Sequence, residues 1–409
     1  MRKLLSTYLI TAFCGWTAAF LVPLIIREIT NSAFYTALAY AISFSPYLLI
    51  MPFIGVIGDH VNKKYMIQLG ELANICLVIG LIFLPFEPAY LWAIWMLYFG
   101  LSAVVAIHYT TFQAVVPDLI PREKIGKFNS CAYAINNVIG LTAPLIIALW
   151  LGVVQGSLKQ LLGILVGGYV ICIILIQRIT YAPKRKDDFD TSLVFSELKE
   201  GFDYVRDHPF FRYAVIHFFF TNFAEIFIQS NLICYLTQQH GITQSDISYY
   251  YIPIGLGALI GSAFALRIIA HVSPGKIMLA GSLLSIGCLL LMWQYPTSWI
   301  TTMAWGIHEV VNSVIIISFF SLRQRIVPSK ILSRVIVVSR TLSYVSAPFS
   351  ATVSGWILDY TKDFSKLIFV SIGAYILAIL FSFRSLFFYK SPEKAAAVKR
   401  GKAQPAAAS

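Results

Sequence analysis

Apolar residues in this chain do not alternate with polar ones; they run together. Twelve predominantly apolar stretches follow one another, at 4–26, 34–57, 65–86, 89–115, 128–150, 158–179, 211–236, 246–270, 275–295, 297–321, 333–357 and 364–388. A helix needs about 20 such residues to cross the hydrocarbon core of a bilayer. The pattern predicts an all-α integral membrane protein of twelve transmembrane helices joined by short loops. One break is longer. The chain is polar from Tyr181 to Phe210, opening Pro183-Lys184-Arg185-Lys186-Asp187-Asp188. Within it, residues 191–207 place apolar positions at helical spacing among charges of alternating sign. This segment halves the chain. Residues 1–180 are expected to form one six-helix bundle, 181–210 a cytoplasmic linker and 211–390 a second, pseudo-symmetric bundle. Residues 391–409 are expected to be a disordered cytoplasmic tail, because an Ala- and Lys-rich segment offers too little apolar surface to fold alone.

Composition agrees. The chain is 58% hydrophobic and 12% charged, against about 25% charged in soluble globular proteins. An ordinary soluble enzyme and a water-soluble nucleic-acid binder are both excluded. The net charge of +12 belongs to topology. With the N-terminus inside, 26 of the 31 Lys and Arg residues fall on inner ends and loops. Arg27, Lys159, Lys362 and Lys366 fall outside, and Arg340 lies within a span. Cytoplasmic loops retain positive charge, so both termini are expected on the cytoplasmic side of the cell inner membrane, with the lipid bilayer as the macromolecular surroundings and no nucleic-acid partner. The run after Arg2 and Lys3 is too long for a signal-peptide core and reads as the first span. All six cysteines lie in apolar runs without a CxxC pair and read as small buried hydrophobes.

The halves share punctuation. Val116-Pro117 follows the fourth stretch and Val327-Pro328 the tenth; Ala143-Pro144 lies in the fifth and Ala347-Pro348 in the eleventh. Such duplication marks transporters built from two bundles. After the second stretch the chain reads Gly55-Val56-Ile57-Gly58-Asp59-His60-Val61-Asn62-Lys63-Lys64. This resembles the G-x-x-x-D-[R/K]-x-G-[R/K]-[R/K] loop of the major facilitator superfamily, and the resemblance extends over the whole chain. Gln113-Ala114-Val115-Val116-Pro117-Asp118-Leu119-Ile120-Pro121-Arg122-Glu123 and Ser354-Gly355-Trp356-Ile357-Leu358-Asp359 are similar to the branch holding macrolide efflux pumps, the enterobactin exporter and the lysophospholipid transporter. His60 stands where Arg or Lys is usual and Asn62 where Gly is usual; Asn tolerates a left-handed turn. The resemblance implies that Asp59 docks against the second bundle as a conformational latch. Gly55 would permit the close approach, and Lys63 and Lys64 would hold the loop at the anionic inner leaflet. Glu71, in the inner third of the third stretch, is expected to support that latch. The matching region of the second half, from Gly261 to Lys276, has no acid, so the latch reads as one-sided.

Ionisable residues within spans are expensive unless they face a cavity or a partner. The acids here are Glu71, Glu225 and Glu309, the cation Arg340, and the histidines His108, His217 and His308. Asn222 and Gln229 share a helical face with Glu225; Trp305, His308 and Asn312 cluster with Glu309. The resemblance implies that these two spans line the central cavity. A low-dielectric cavity favours the protonated form of an acid, which can then exchange a proton for substrate. Glu225, Glu309, Arg340, His108 and His308 are therefore the candidates for proton coupling in the cavity, with permanent pairing of an acid to Arg340 as the structural alternative. His217 lies nearer the inner end. Asn136, Asn137, Asn222, Gln229, Trp305, Asn312 and Tyr344 are the substrate-cavity candidates. Tyr133, Asn136, Asn137, Gly140 and Pro144 share a face of the fifth stretch; Gly140 to Pro144 resembles part of an antiporter motif but lacks its trailing Gly-Gly. The 15% aromatic content reads as mostly lipid-facing or interfacial.

There is no P-loop, metal-ligand spacing or nucleophile elbow, so neither ATP chemistry, a cofactor, a metal nor enzymatic activity is expected. The reading that results is a monomeric secondary transporter with a small-molecule substrate and protons as partners. It would export an amphipathic compound, a drug or a siderophore, by alternating access. A lysophospholipid or small-metabolite transporter, or an importer, is the alternative; a membrane enzyme or sensor is the remote one.

Overall fold

The computed structural model describes residues 2–50, 62–181, 191–243, 246–328 and 331–387. Gly55, Asp59, His60 and the 391–409 tail lie outside them. All the described elements are helical: α1 (Arg2–Thr30), α2 (Ala33–Leu49), α3 (Lys63–Phe83), α4 (Leu91–Leu119), α5 (Arg122–Gly152), α6 (Leu158–Gln177), α7 (Thr191–Asp207), α8 (Pro209–Gln229), α9 (Leu232–Cys234), α10 (Ile247–His271), α11 (Pro274–Gln294), α12 (Ser298–Ile326), α13 (Leu332–Tyr344), α14 (Ser346–Thr361) and α15 (Phe364–Phe387). Among the described residues, eight helices are long and apolar enough to cross a membrane. Large apolar side chains such as Leu72, Trp92, Met96, Leu283, Leu380 and Phe381 point outward, as a lipid solvent requires of a helical bundle.

Local chemistry sets the helix ends. Ser157 and Gln160 form a reciprocal capping box at the start of α6. Pro209 and Pro274 open α8 and α11, where a missing N–H costs nothing. Asn62 does not adopt the left-handed turn anticipated for it. It has φ −64° and caps α3, accepting from the Lys64 amide. Lys64 in turn donates to the carbonyls of Gln177 and Ile179 at the end of α6, 3.2 and 2.8 Å away, so its charge meets a helix C-terminus.

Two anticipated continuous helices are broken. The stretch 211–236 stops at Gln229 and resumes, after Ser230 and Asn231, as α9 and a π turn at Tyr235–Gln239. Asn231 holds the break by donating to the Phe227 carbonyl and to Ser354 Oγ on α14. The stretch 333–357 breaks at Val345. Pro348 has no N–H for the Tyr344 carbonyl, and Asn222 of α8 donates to the adjacent Ser343 carbonyl at 2.9 Å.

Within each half, helices approach closely at small residues. A Cβ on Gly257 of α10 would lie 1.9 Å from the Gly306 carbonyl oxygen of α12, and one on Gly261 2.2 Å from that of Val310. This small-xxx-small seam brings backbones together where lipid supplies no hydrophobic drive. Across the halves, α2 packs on α14 and α5 on α10. The polar segment at 191–207 is the helix α7, as its periodicity predicts, and it lies on α13. Gly201 permits that contact, since a Cβ there would sit 2.9 Å from the Arg334 backbone, and Glu200 pairs with the Arg334 guanidinium.

Candidate functional site

A cavity of about 360 Å³ lies among α1, α2, α4 and α5 of the first half, with Arg340 of α13 entering from the second. Such a volume is at the lower end for drug-sized ligand sites. Its α1 wall is Tyr8, Thr11, Ala12, Gly15, Trp16 and Ala19; α2 adds Ser43, Phe44 and Tyr47; α4 adds Tyr98, Ser102 and His108. These positions recur at three and four residues, the spacing of one helix face. The signal is therefore present in the sequence, hidden because aromatic residues in a span also suit a lipid-facing surface. Tyr169 and Phe112 also line the cavity. Trp16 Nε1 donates to Asn136 Oδ1 at 3.1 Å. The Arg340 guanidinium lies 5.2 Å from the Tyr47 ring centre and 5.8 Å from that of Tyr344, which stacks on Phe44. Of the anticipated residues, Arg340, His108 and Asn136 line the cavity and Tyr344 backs it. The Asn137 and Tyr133 side chains lie outside the described set.

Behind the cavity wall sits a buried acid. Glu71 is fully enclosed, accepts from Thr11 Oγ1 at 2.6 Å, and lies 3.7 Å from His108 Nδ1. It is thus built into the α1–α3–α4 packing. The Ile67 carbonyl lies 3.2 Å from His108 Nε2 and can accept only from a protonated nitrogen, so Nδ1 is the nitrogen that faces the carboxylate.

The second half repeats this chemistry. Glu225 of α8 and His308 and Glu309 of α12 bring donor atoms within 4.8 Å of one another. Asn312 donates to Glu225 Oε1 at 3.1 Å. Ser285 gives its single hydrogen to the Gly281 carbonyl and so accepts from His308 Nδ1–H at 2.9 Å. The nitrogen left over, His308 Nε2, is buried without a hydrogen-bond partner among the described residues. Trp305 covers the imidazole, the ring centres 4.4 Å apart. Two carboxylates and a bare imidazole can hold a proton or a small cation between them. Asn222 is engaged at the α13 end instead, and Gln229 closes α8. His217 bonds Ser282 and Ser382 and ties α8 to α11 and α15.

Among the described residues, the hydrogen bonds that join the two halves gather beside the α1–α2 turn. Asp359, near the end of α14, accepts from the Ser32 hydroxyl and from the amides of Ala33 and Phe34, both at 2.9 Å. It thereby caps α2 from the other half of the molecule. Arg27 donates to Thr237 at 3.3 Å, Gln238 to the Asn31 carbonyl at 3.0 Å, and the Phe20 and Tyr251 rings meet edge-on at 5.1 Å. The motif Ser354 to Asp359 marks a family branch in the sequence; its role as an inter-half clasp became visible only in the fold. Burial pushes the Asp359 carboxyl's pKa up, but the three donors and the charge of Lys362 outweigh burial and hold it below the usual carboxylate range.

Apolar helices in two packed halves around a small-molecule-sized cavity define a membrane transporter. The chain belongs to the Major Facilitator Superfamily, whose profile matches residues 4–351; its members are transporters rather than enzymes. It is 27% identical over 186 residues to "Macrolide efflux protein A" of Streptococcus pyogenes, covering 45% of each chain. It is 26% identical over 200 residues to the "Uncharacterized MFS-type transporter YvqJ" of Bacillus subtilis, covering 47% of each. The matched segment thus spans about half the length of these relatives. Among solved structures, the nucleoside transporter NupG is similar with a TM-score of 0.72 at 10% identity, over 95% of this chain and 98% of that one. A bacterial homologue of the iron transporter ferroportin, in its inward-facing state, gives 0.69 at 16% identity, over 94% and 98%.

Proposed function

We propose that the protein is a proton-coupled exporter of small amphipathic compounds, with drugs and siderophores as the substrate classes. It works as a monomer by alternating access in the cell inner membrane, with twelve spans in two six-helix bundles and both termini cytoplasmic. The observation that carries this reading is the cavity walled by the first half and completed by Arg340 of the second. A site shared by two halves that are clasped at one end is exposed or occluded as the halves rock. With the α1–α2 turn on the outer side, the Asp359 clasp closes the outside. The relatives named for macrolide efflux support the outward direction of transport.

The coupling proton belongs to the Glu225–His308–Glu309 trio. Two carboxylates held within 4.8 Å repel each other in apolar surroundings. One bound proton removes that repulsion, and rocking of α8 and α12 changes its access to water. The test uses everted membrane vesicles with an energised proton gradient and a pH-sensitive dye, challenged with macrolides, catechol siderophores, lipophilic cations and lysophospholipids. At least one compound is expected to dissipate the gradient, and Glu225→Gln or Glu309→Gln to abolish that response while leaving expression unchanged. Full gradient-driven transport in both variants removes the trio from the mechanism. Lysophospholipid movement with no proton response from any compound replaces the exporter reading with a lipid transporter.

A further inference from the structure

The Glu225–His308–Glu309 cluster has the composition and the spacing of a metal site. Its side chains come from two helices, α8 and α12, so no spacing in the sequence displays them as a set. Their donor atoms lie within 4.8 Å of one another. Ligands held about 2.0–2.2 Å from a small divalent ion stand at most about 4.4 Å apart, so modest side-chain rotations close all three on one ion. His308 is the decisive member. It is 3% exposed, its Nδ1–H is taken by Ser285, and Nε2 is buried with no hydrogen-bond partner among the described residues. A dry lone pair with no donor is costly to keep. A neutral imidazole whose other N–H is held by a neighbour is also the form in which histidine ligates metals. Ser285 is anchored in turn to the Gly281 carbonyl at 3.0 Å, which fixes that tautomer. Asn312 orients the Glu225 carboxylate at 3.1 Å. Trp305 covers the imidazole, whereas Glu225 and Glu309 are only half-buried. The carboxylate side is therefore where an ion enters and where water ligands fit.

We infer that Glu225, Glu309 and His308 Nε2 form a binding site for one divalent transition-metal ion of the Zn2+ and Co2+ class, with water completing the coordination. The donor set decides the class. One imidazole nitrogen and two carboxylates suit borderline ions of this kind, whereas Ca2+ and Mg2+ prefer oxygen alone and Cu(I) prefers sulfur. Two carboxylates cancel the charge of the ion, so the loaded site is neutral in apolar surroundings, which removes the repulsion between the acids. The site goes beyond the exporter reading: it holds whether or not the same oxygens also carry the coupling proton.

The test uses purified full-length protein in detergent, without a histidine tag, dialysed to equilibrium against radioactive Zn2+ in an excess of Mg2+. One tightly held ion per chain is expected. Glu225→Gln and Glu309→Gln keep the side-chain shape and should each abolish it. Ser285→Ala removes only the partner of His308 Nδ1–H and should weaken binding about 10–100-fold, the usual effect of losing a group that orients a ligand. X-ray absorption on the unaltered protein with one equivalent of Zn2+ serves should a variant fail to fold. It should show oxygen and nitrogen ligands, one imidazole and no sulfur, and Glu309→His should raise the imidazole count to two. Absence of a bound ion or a shell of sulfur overturns the inference. So does an ion retained by both glutamine variants, which would be a surface-bound ion only. Bound Zn2+ with no proton response from any compound in vesicles leaves the site standing and removes the exporter reading. An intact proton response without bound Zn2+ removes the site alone.

Discussion

Two histidines stand in the same chemical position in the two halves. In each, one ring nitrogen is fixed by a neighbour, Ile67 for His108 and Ser285 for His308, and the other is buried near carboxylate oxygens without a hydrogen-bond partner among the described residues. The sequence presents both as lone membrane histidines; only the fold pairs them with acids. Gly70 makes the first arrangement possible, because a Cβ there would come within 2.3 Å of His108 Nε2. Gly70→Ala must therefore displace the imidazole, and overpacking of this kind destabilises by about 1–3 kcal/mol. A lower thermal unfolding midpoint in detergent, with a weakened substrate-induced proton response, is expected. An unchanged midpoint and response would show that His108 has room to move and does not hold the position described.

At the scale of elements, the Asp359 clasp on α2 is the contact to break. Asp359→Ala removes the acceptor for two backbone amides and the Ser32 hydroxyl. Loss of a helix cap costs about 0.5–2 kcal/mol, which raises the population open at that end by about two- to thirtyfold. Cys234 reports it: the thiol is buried, with the Ser32 carbonyl 3.9 Å away. In a background where Cys234 is the single cysteine, Asp359→Ala should speed its labelling by an impermeant maleimide, and an unchanged rate would refute the clasp. The pH dependence has a definite sign. Because Asp359 is held below the usual carboxylate range when clasped, its contribution is fully present above the ordinary aspartate value of about 3.9. It fades as pH falls through the depressed one. Labelling of Cys234 should be flat through neutral pH and rise only in strong acid. The helices themselves were legible from hydropathy, including α7 from its charge-laced period. The breaks at Ser230 and Val345 were not, since Asn231 at the first is anchored to Ser354 Oγ on α14 and the Ser343 carbonyl beside the second accepts from Asn222 on α8. A local pattern cannot register such partners.

For the whole molecule, the helix within the polar segment was readable, while the composition of the cavity was not. Glu225 and Glu309 announced themselves as costly charges, yet the cavity wall is mostly aromatic and hydroxyl residues that are individually unremarkable in a span. The helix α7 adds something about how the halves are joined. It rides on α13 through Gly201, Glu200 and Arg334, so it travels with the second half. Expressed as separate polypeptides split within 182–190, the halves should reassemble into a working transporter, each carrying a finished surface. A split after Asp207 should not yield activity, because the second fragment loses the cover that Glu200 and Gly201 place over Arg334. In that sense the chain is two proteins sharing one gene, and α7 belongs to the later of them.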